Sequence, residues 1–307
     1  MGQVAQNQKV AFNQSEAMLN LYEKKLLGIY RGSLKQIRSD LMKLNEKAKW
    51  SFSELSKYNR LDKLKTQIAN EIRKLGRQSA AGLARTNTNI VTNTYNRSWF
   101  GYEKEIQTSL AFGKINPELV QGIVTEPYPD VKLSDLVKGV TQQTANRISF
   151  EIGQSLTLGE GAAKMAQRIK NTLNISYNRA VTIARTEGLR ASSKAQLVST
   201  QRSQDLGIDI VKVWDSTNDS RTRPSHVSME GQKANTDGLF TLVSGKNRGA
   251  QAEAPRLFGI AEEDINCRCT YIEEVDDIPE NIEKRVTPAS KNKYKQLTFK
   301  EWEKERL

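Results

Sequence analysis

The chain reads as an α+β protein, predominantly α, on three observations. A 3/4 apolar rhythm with lysines on the other faces runs through the first 75 residues. Three further stretches with helical periodicity and capping signals fill the middle. After Gly207 the texture changes to short β-branched and aromatic runs, the composition of a small sheet. The expected architecture is a long N-terminal helical hairpin, a helical middle, and a small C-terminal domain with a short β-sheet.

Asn13-Gln14-Ser15-Glu16 has the form of a capping box and predicts a helix start. The stripe that follows is Leu19, Tyr22, Leu26 and Ile29, then, after a one-residue phase slip at Tyr30, Leu34, Ile37, Leu41, Leu44 and Ala48. A second box, Ser51-Phe52-Ser53-Glu54, restarts the count with Leu55, Tyr58, Leu61, Leu64, Ile68, Ile72 and Leu75. Both stripes are narrow, as in a coiled-coil-like pair, so each helix packs on the other or on a partner. Residues 79–96 keep weak helical propensity, being rich in Thr and Asn. Trp99, Phe100 and Tyr102 form an aromatic knot, read as a core plug. Pro117, Pro127 and Pro129 mark a linker at 116–130 between a basic arm (1–115) and the next domain (131–275).

Ser134 opens a helix to about Gln154, Thr157-Leu158-Gly159-Glu160 caps another, and Ser176 opens a third. The third carries a stripe of small residues, Ala184, Gly188, Ala191 and Ala195, which calls for a closely approaching neighbour. Glu187 lies at the edge of that stripe and needs a cationic partner; Arg221, Arg223 and His226 are the donors expected. Ile208–Trp214, Leu239–Val243 and Thr270–Val275 are the predicted strands. In the tail, 276–307, Thr298-Phe299-Lys300-Glu301 caps a short helix expected to dock through Phe299 and Trp302.

The net charge of +12 is uneven: residues 1–110 hold 19 Lys/Arg against 9 Asp/Glu, a net +10. Charge of this kind fits contact with a polyanion through counterion release, or a solvated lysine-rich helical surface. Lys24, Lys25, Lys35, Arg38, Lys43, Lys47 and Lys49 are the candidate nucleic-acid contacts. Two cysteines one residue apart make no disulfide framework and fit a reducing compartment. The N-terminus has no apolar secretory segment, Gln6 stands where a myristoylation motif wants Ser or Thr, and no apolar run reaches bilayer length. A soluble chain without a membrane partner is expected.

Rare polar chemistry gathers in three pieces: Ala184–Glu187, Trp214–Gly231 with the sole histidine, and Asn266–Thr270 with both cysteines. Arg185, Glu187, Asp219, Arg221, Arg223 and His226 are read as one structural cluster. His226, Cys267 and Cys269 are three plausible zinc ligands. Only three good ligands are visible, so the metal-free version, with a hydrogen-bonded histidine over two packed thiols, is the one favoured; no cofactor is required and zinc is the one allowed. A hydrolase would use His226 as general base with Asp219 or Glu187 orienting it, or Cys267 as nucleophile with His226; a metal-dependent one, nuclease or peptidase, would be built around His226, Cys267 and Cys269. A DNA-binding protein with a coiled-coil dimer arm is another reading.

The run Ala184-Arg185-Thr186-Glu187, then Trp214, Asp219-Ser220-Arg221-Thr222-Arg223-Pro224-Ser225-His226, Glu230-Gly231, Phe240, Pro255 and Asn266-Cys267-Arg268-Cys269, resembles the phage head morphogenesis family, minor head proteins similar to protein F of phage Mu. The resemblance covers roughly residues 130–275. Met229-Glu230-Gly231 departs from the family's Leu-Asp-Gly, and some relatives have cysteines where this chain has Arg223 and His226. The resemblance implies a minor capsid protein of a tailed bacteriophage, present in few copies. It implies a role in head morphogenesis at the portal vertex, inside the capsid, after synthesis in the host cytoplasm. The implied partners are the portal protein, capsid or scaffold proteins, and the DNA that is packaged and ejected; the charge excess of residues 1–110 makes the expected binding to duplex DNA independent of sequence. It implies a structural protein of the virion, with no enzymatic activity attached.

Overall fold

The computed structural model describes residues 2–45, 59–126 and 131–306. In chain order the helices are α1 (Gln3–Asn45), α2 (Arg60–Ile106), α3 (Pro117–Thr125), α4 (Leu133–Thr157) and α5 (Ala162–Gln204). Then come β1 (Asp209–Asp215), α6 (Pro224–Val227), β2 (Phe240–Thr241), β3 (Gln251–Ala252), α7 (Ala261–Asp264) and β4 (Thr270–Asp277). The tail folds as α8 (Glu280–Glu283), α9 (Pro288–Gln296) and α10 (Phe299–Arg306). The fold is α+β and mainly helical, with its strands near the C-terminus. No helix among the described residues is long and apolar enough to cross a membrane.

Two compact units result. One is built from residues 20–85 and 131–184, the other from 1–19, 86–130 and 185–307. The helices of the expected arm at 1–115 supply residues to both units. The narrow stripes explain why, because two such helices cover too little of each other and are completed by other helices of the same chain. In the first unit Tyr22, Leu26, Tyr30, Ile37 and Leu41 of α1, with Leu61 to Leu83 of α2, share a core with Ile148 and Ile152 of α4 and Met165, Ile169 and Leu173 of α5. Tyr22 donates to the Ser79 carbonyl at 2.8 Å and Ser33 to Glu71 at 2.8 Å, so α1 and α2 run antiparallel.

Several local expectations are corrected by this packing. Tyr30 sits in the seam, 5% exposed, so the α1 stripe has no phase slip. The helix begins at Gln3 and passes through the predicted box at 13–16, because Val4, Ala5 and Ala11 are already buried. The box at 51–54 lies outside the described residues. Pro117 occupies the first turn of α3 with the Asn116 side chain capping Glu118 N–H, so the predicted linker is partly helical. The helix opened at Ala162 continues through Ser176, whose hydroxyl meets Tyr30 at 3.0 Å and Thr144 at 2.7 Å and so does not cap a new helix.

In the second unit β1 and β4 pair antiparallel, with Trp214 opposite Tyr271 and Asp215 opposite Thr270. β2 and β3 form a separate two-stranded ribbon, so the small sheet is in fact two. Gly188 on α5 lets Leu19 come close: a Cβ there would lie 2.5 Å from a Leu19 methyl. The Thr298–Glu301 box caps α10 at its N-terminus. Trp302 from α10 is fully buried against Phe100 and Phe112, and its indole N–H donates to buried Glu103 at 2.6 Å.

Candidate functional site

The loop between β1 and the ribbon folds back on β1 through its own backbone. Trp214 N–H donates to Gln232 O at 2.8 Å, and Gly231 N–H donates to Trp214 O at 3.0 Å. Gly231 has φ +72°, which a side chain would disfavour. Glu230 accepts from Ser216 N–H at 2.6 Å, and Met229 is fully buried, so Met-Glu-Gly forms the clasp. Pro224 starts the short turn α6 and sets His226 inward, edge-on to Trp214 with ring centroids 5.5 Å apart. Ser216 Oγ links the two, accepting from the Trp214 indole and donating to His226 O.

His226, Cys267 and Cys269 lie together, none more than 2% exposed. Nδ1 of His226 is 3.4 Å from the sulfur of Cys267 and 3.6 Å from that of Cys269. Its other nitrogen meets Glu263 Oε2 at 3.0 Å. Glu263 is held in turn by Asn247 at 2.8 Å and Ser225 at 3.3 Å. The hydrogen bond from Cys269 holds the Cys267 thiol well below its ordinary value; burial opposes this, and His226 and Arg256 assist it. The same bond, with burial, pushes Cys269 up. Arg256 is completely buried beside them and donates to the carbonyls of Cys267 and Cys269 and to Ser193.

Glu187 is buried, but its partner is not from the 219–226 loop. Arg190, one turn along the same helix, donates to both of its oxygens at 2.5 Å. Arg190 also lies 3.7 Å from Asp264 and donates to the Arg256 carbonyl at 2.8 Å. Burial raises the pKa of Glu187 despite the attraction of Arg190. A spacing of three places both groups on one face, so a partner from another segment is unnecessary. Thr186 ties the same helix to the cysteine segment by accepting from Asn266 N–H at 3.1 Å.

The six residues expected to form one cluster are therefore divided among different partners. Asp219 pairs with Arg268 at 2.5 Å and Arg221 at 3.7 Å. Hydrogen bonds from Arg268 and from the Arg221 backbone pull its carboxyl well below the usual range. Arg223 donates to the Ile265 carbonyl at 2.5 Å, and Arg185 is half-buried on α5. The carboxylate on His226 is Glu263, not Asp219 or Glu187. Glu263, Arg256, Arg190 and Asp264 were all missed in the sequence. The acidic run Glu262-Glu263-Asp264 just before Asn266-Cys267 was the available signal for two of them.

On α1, Lys24, Lys25, Lys35, Arg38 and Lys43 are exposed, and Arg31 joins them; Lys47 and Lys49 lie outside the described residues. The fold sharpens the charge asymmetry. Residues 20–85 and 131–184 hold 23 Lys/Arg against 9 Asp/Glu, a net +14, leaving 24 against 26, a net −2, in the other unit.

Residues 146–272 match the family described as Phage Mu protein F like protein. The chain is 28% identical over 306 residues to Minor head protein GP7 of Bacillus phage SPP1, covering 98% of each. It is 29% identical over 290 residues to NAD(+)–arginine ADP-ribosyltransferase EFV of Enterococcus faecalis, covering 93% of this chain and 57% of that protein. The chain thus spans little more than half the length of that relative. An uncharacterized protein of Haemophilus influenzae is 27% identical over 168 residues, 54% of this chain and 33% of that one. No solved structure matches.

Proposed function

We propose that this chain, whose residues 146–272 match the Phage Mu protein F like family, is a minor head protein of a tailed phage that works at the portal vertex and contacts packaged DNA. The observation that carries the reading is the similarity to a phage minor head protein over nearly the full length of both chains. The motif residues support a structural role. Thr186, Glu187, Trp214, Asp219, Arg223, His226 and Arg268 each bond to another segment of the same unit or to a close neighbour within it. The name of the Enterococcus relative raises an enzymatic alternative. Burial opposes only the hydrolase built on His226, Cys267 and Cys269, whose side chains are at most 2% exposed and leave a substrate no approach to their reacting atoms.

The DNA contact rests on the +14 unit and on the exposed cations of α1. Phosphate neutralisation by such a surface is independent of sequence and weakens with salt, log affinity falling by about 0.9 per log salt for each phosphate neutralised. Removing residues 1–110 would dismantle both units, so the test is charge reversal in the full chain. Lys24→Glu, Lys35→Glu, Arg38→Glu and Lys43→Glu together should weaken duplex binding. The salt slope should flatten by up to about 0.9 for each phosphate these side chains neutralise in the wild-type protein. Unchanged affinity and slope in the folded variant would remove this surface from the reading.

A further inference from the structure

The chain has one histidine and two cysteines in 307 residues, and the fold brings all three to one buried point. They come from separate segments, α6 and the approach to β4. Their ligand atoms all lie within 4.8 Å of one another. A tetrahedral ion with metal–sulfur bonds of about 2.3 Å and metal–nitrogen bonds of about 2.0–2.1 Å holds its nitrogen and sulfur ligands about 3.6 Å apart. The spans found here, 3.4 and 3.6 Å, have that length.

Hydrogen bonds between the two cysteines and from one thiol to His226 are the alternative to a shared ion. Both sulfurs face the same ring nitrogen, and a neutral imidazole nitrogen has one lone pair, enough to accept one S–H. A single cation would satisfy that nitrogen and both sulfurs together. The opposite ring nitrogen is engaged by Glu263 at 3.0 Å, and Glu263 is itself fixed by Asn247 and Ser225. A carboxylate in this position keeps the proton on Nε2 and leaves Nδ1 free to ligate, the arrangement that commonly stands behind a metal-bound histidine.

We propose that His226 Nδ1 and the sulfurs of Cys267 and Cys269 bind a zinc ion, with a non-protein oxygen as fourth ligand, stapling the Pro224–Val227 turn to the base of β4. Thiolate and imidazole donors select zinc over magnesium, calcium or manganese. Loss of two thiol protons offsets the charge of the ion. Complete burial makes the role structural. The inference is independent of the head-protein reading and would stand or fall without it.

The test uses the full chain, made without a polyhistidine tag, with metal content measured by mass spectrometry. About one zinc per chain is expected, as a single site of this ligand set requires. Replacing zinc by cobalt(II) should give a thiolate-to-metal charge-transfer band. Chelation should lower the melting temperature, and zinc, but not magnesium, should restore it. Cys267→Ser and Cys269→Ser should each abolish the stoichiometric zinc and the cobalt band. If either variant fails to fold, metal content and cobalt spectrum of the wild-type chain decide alone. A folded wild-type chain that carries no zinc, shows no cobalt–thiolate band and does not shift its melting temperature with added zinc overturns the proposal.

Discussion

Replacing Glu187 by alanine tests the network that joins α5 to the cysteine segment. Arg190 and Glu187 have side chains only 8% and 7% exposed, and Arg190 donates to both carboxylate oxygens at 2.5 Å. A buried pair broken on one side costs about 3–5 kcal/mol, because the remaining charge stays desolvated. Here the loss is moderated, since Arg190 keeps Asp264 at 3.7 Å and the Arg256 carbonyl at 2.8 Å. The expected cost is therefore the low end, about 3 kcal/mol. For a unit of this size that is a fall of roughly 6–12 °C in melting temperature. Glu187→Gln, which keeps the shape and one acceptor, should lose less. Urea unfolding of the full chain measures it, read as a lower midpoint at unchanged slope. An unaltered midpoint in Glu187→Ala would refute the pairing and the reading of Ala-Arg-Thr-Glu as a structural anchor.

Two further substitutions probe other parts of the second unit. Gly188→Ala puts a methyl 2.5 Å from a Leu19 methyl, and should cost about 1–3 kcal/mol as overpacking, with partial recovery in Gly188→Ala/Leu19→Ala; a neutral single substitution would contradict the close approach. Glu273 is fully enclosed, accepting from Gln8, Tyr102 and Thr200, with Lys212 and Tyr271 nearby. Burial raises its pKa more than those donors and Lys212 lower it. The unfolded chain then gives up this proton at lower pH than the folded chain does. Stability should fall as pH rises from the usual carboxylate range through the raised value, and be flat on either side. Glu273→Gln should flatten that segment of the stability–pH curve; the same slope in both proteins would count against it.

Element type was legible wherever one face is buried over several turns. The α1 seam, the Trp99–Phe100–Tyr102 plug, the two longer strands β1 and β4 and the docking of Trp302 all follow from periodicity or from aromatic clustering. Helix ends were not, because capping signals are local and packing overrides them. Asn13 through Glu16 has the form of a box yet lies inside α1, and Ser176 spends its hydroxyl on Tyr30 and Thr144. The assignment of helices to units was hidden for a similar reason: a narrow stripe shows that a partner is needed, not which one. At the site, rarity identified His226, Cys267 and Cys269. Arginine and glutamate are common, so Arg190, Arg256 and Glu263 carried no such mark. Arg256 also has a left-handed backbone, φ +71°, which its sequence neighbours do not announce.

The central claim, a minor head protein at the portal vertex, is tested most directly by locating the chain in an intact particle. Asymmetric cryo-electron microscopy of wild-type particles, compared with particles assembled without this protein, would show where its density lies. The account predicts a few copies confined to the interior of the single vertex that bears the portal, with the basic unit facing the packaged DNA. Absence from purified particles, or density distributed evenly over all vertices, would contradict it.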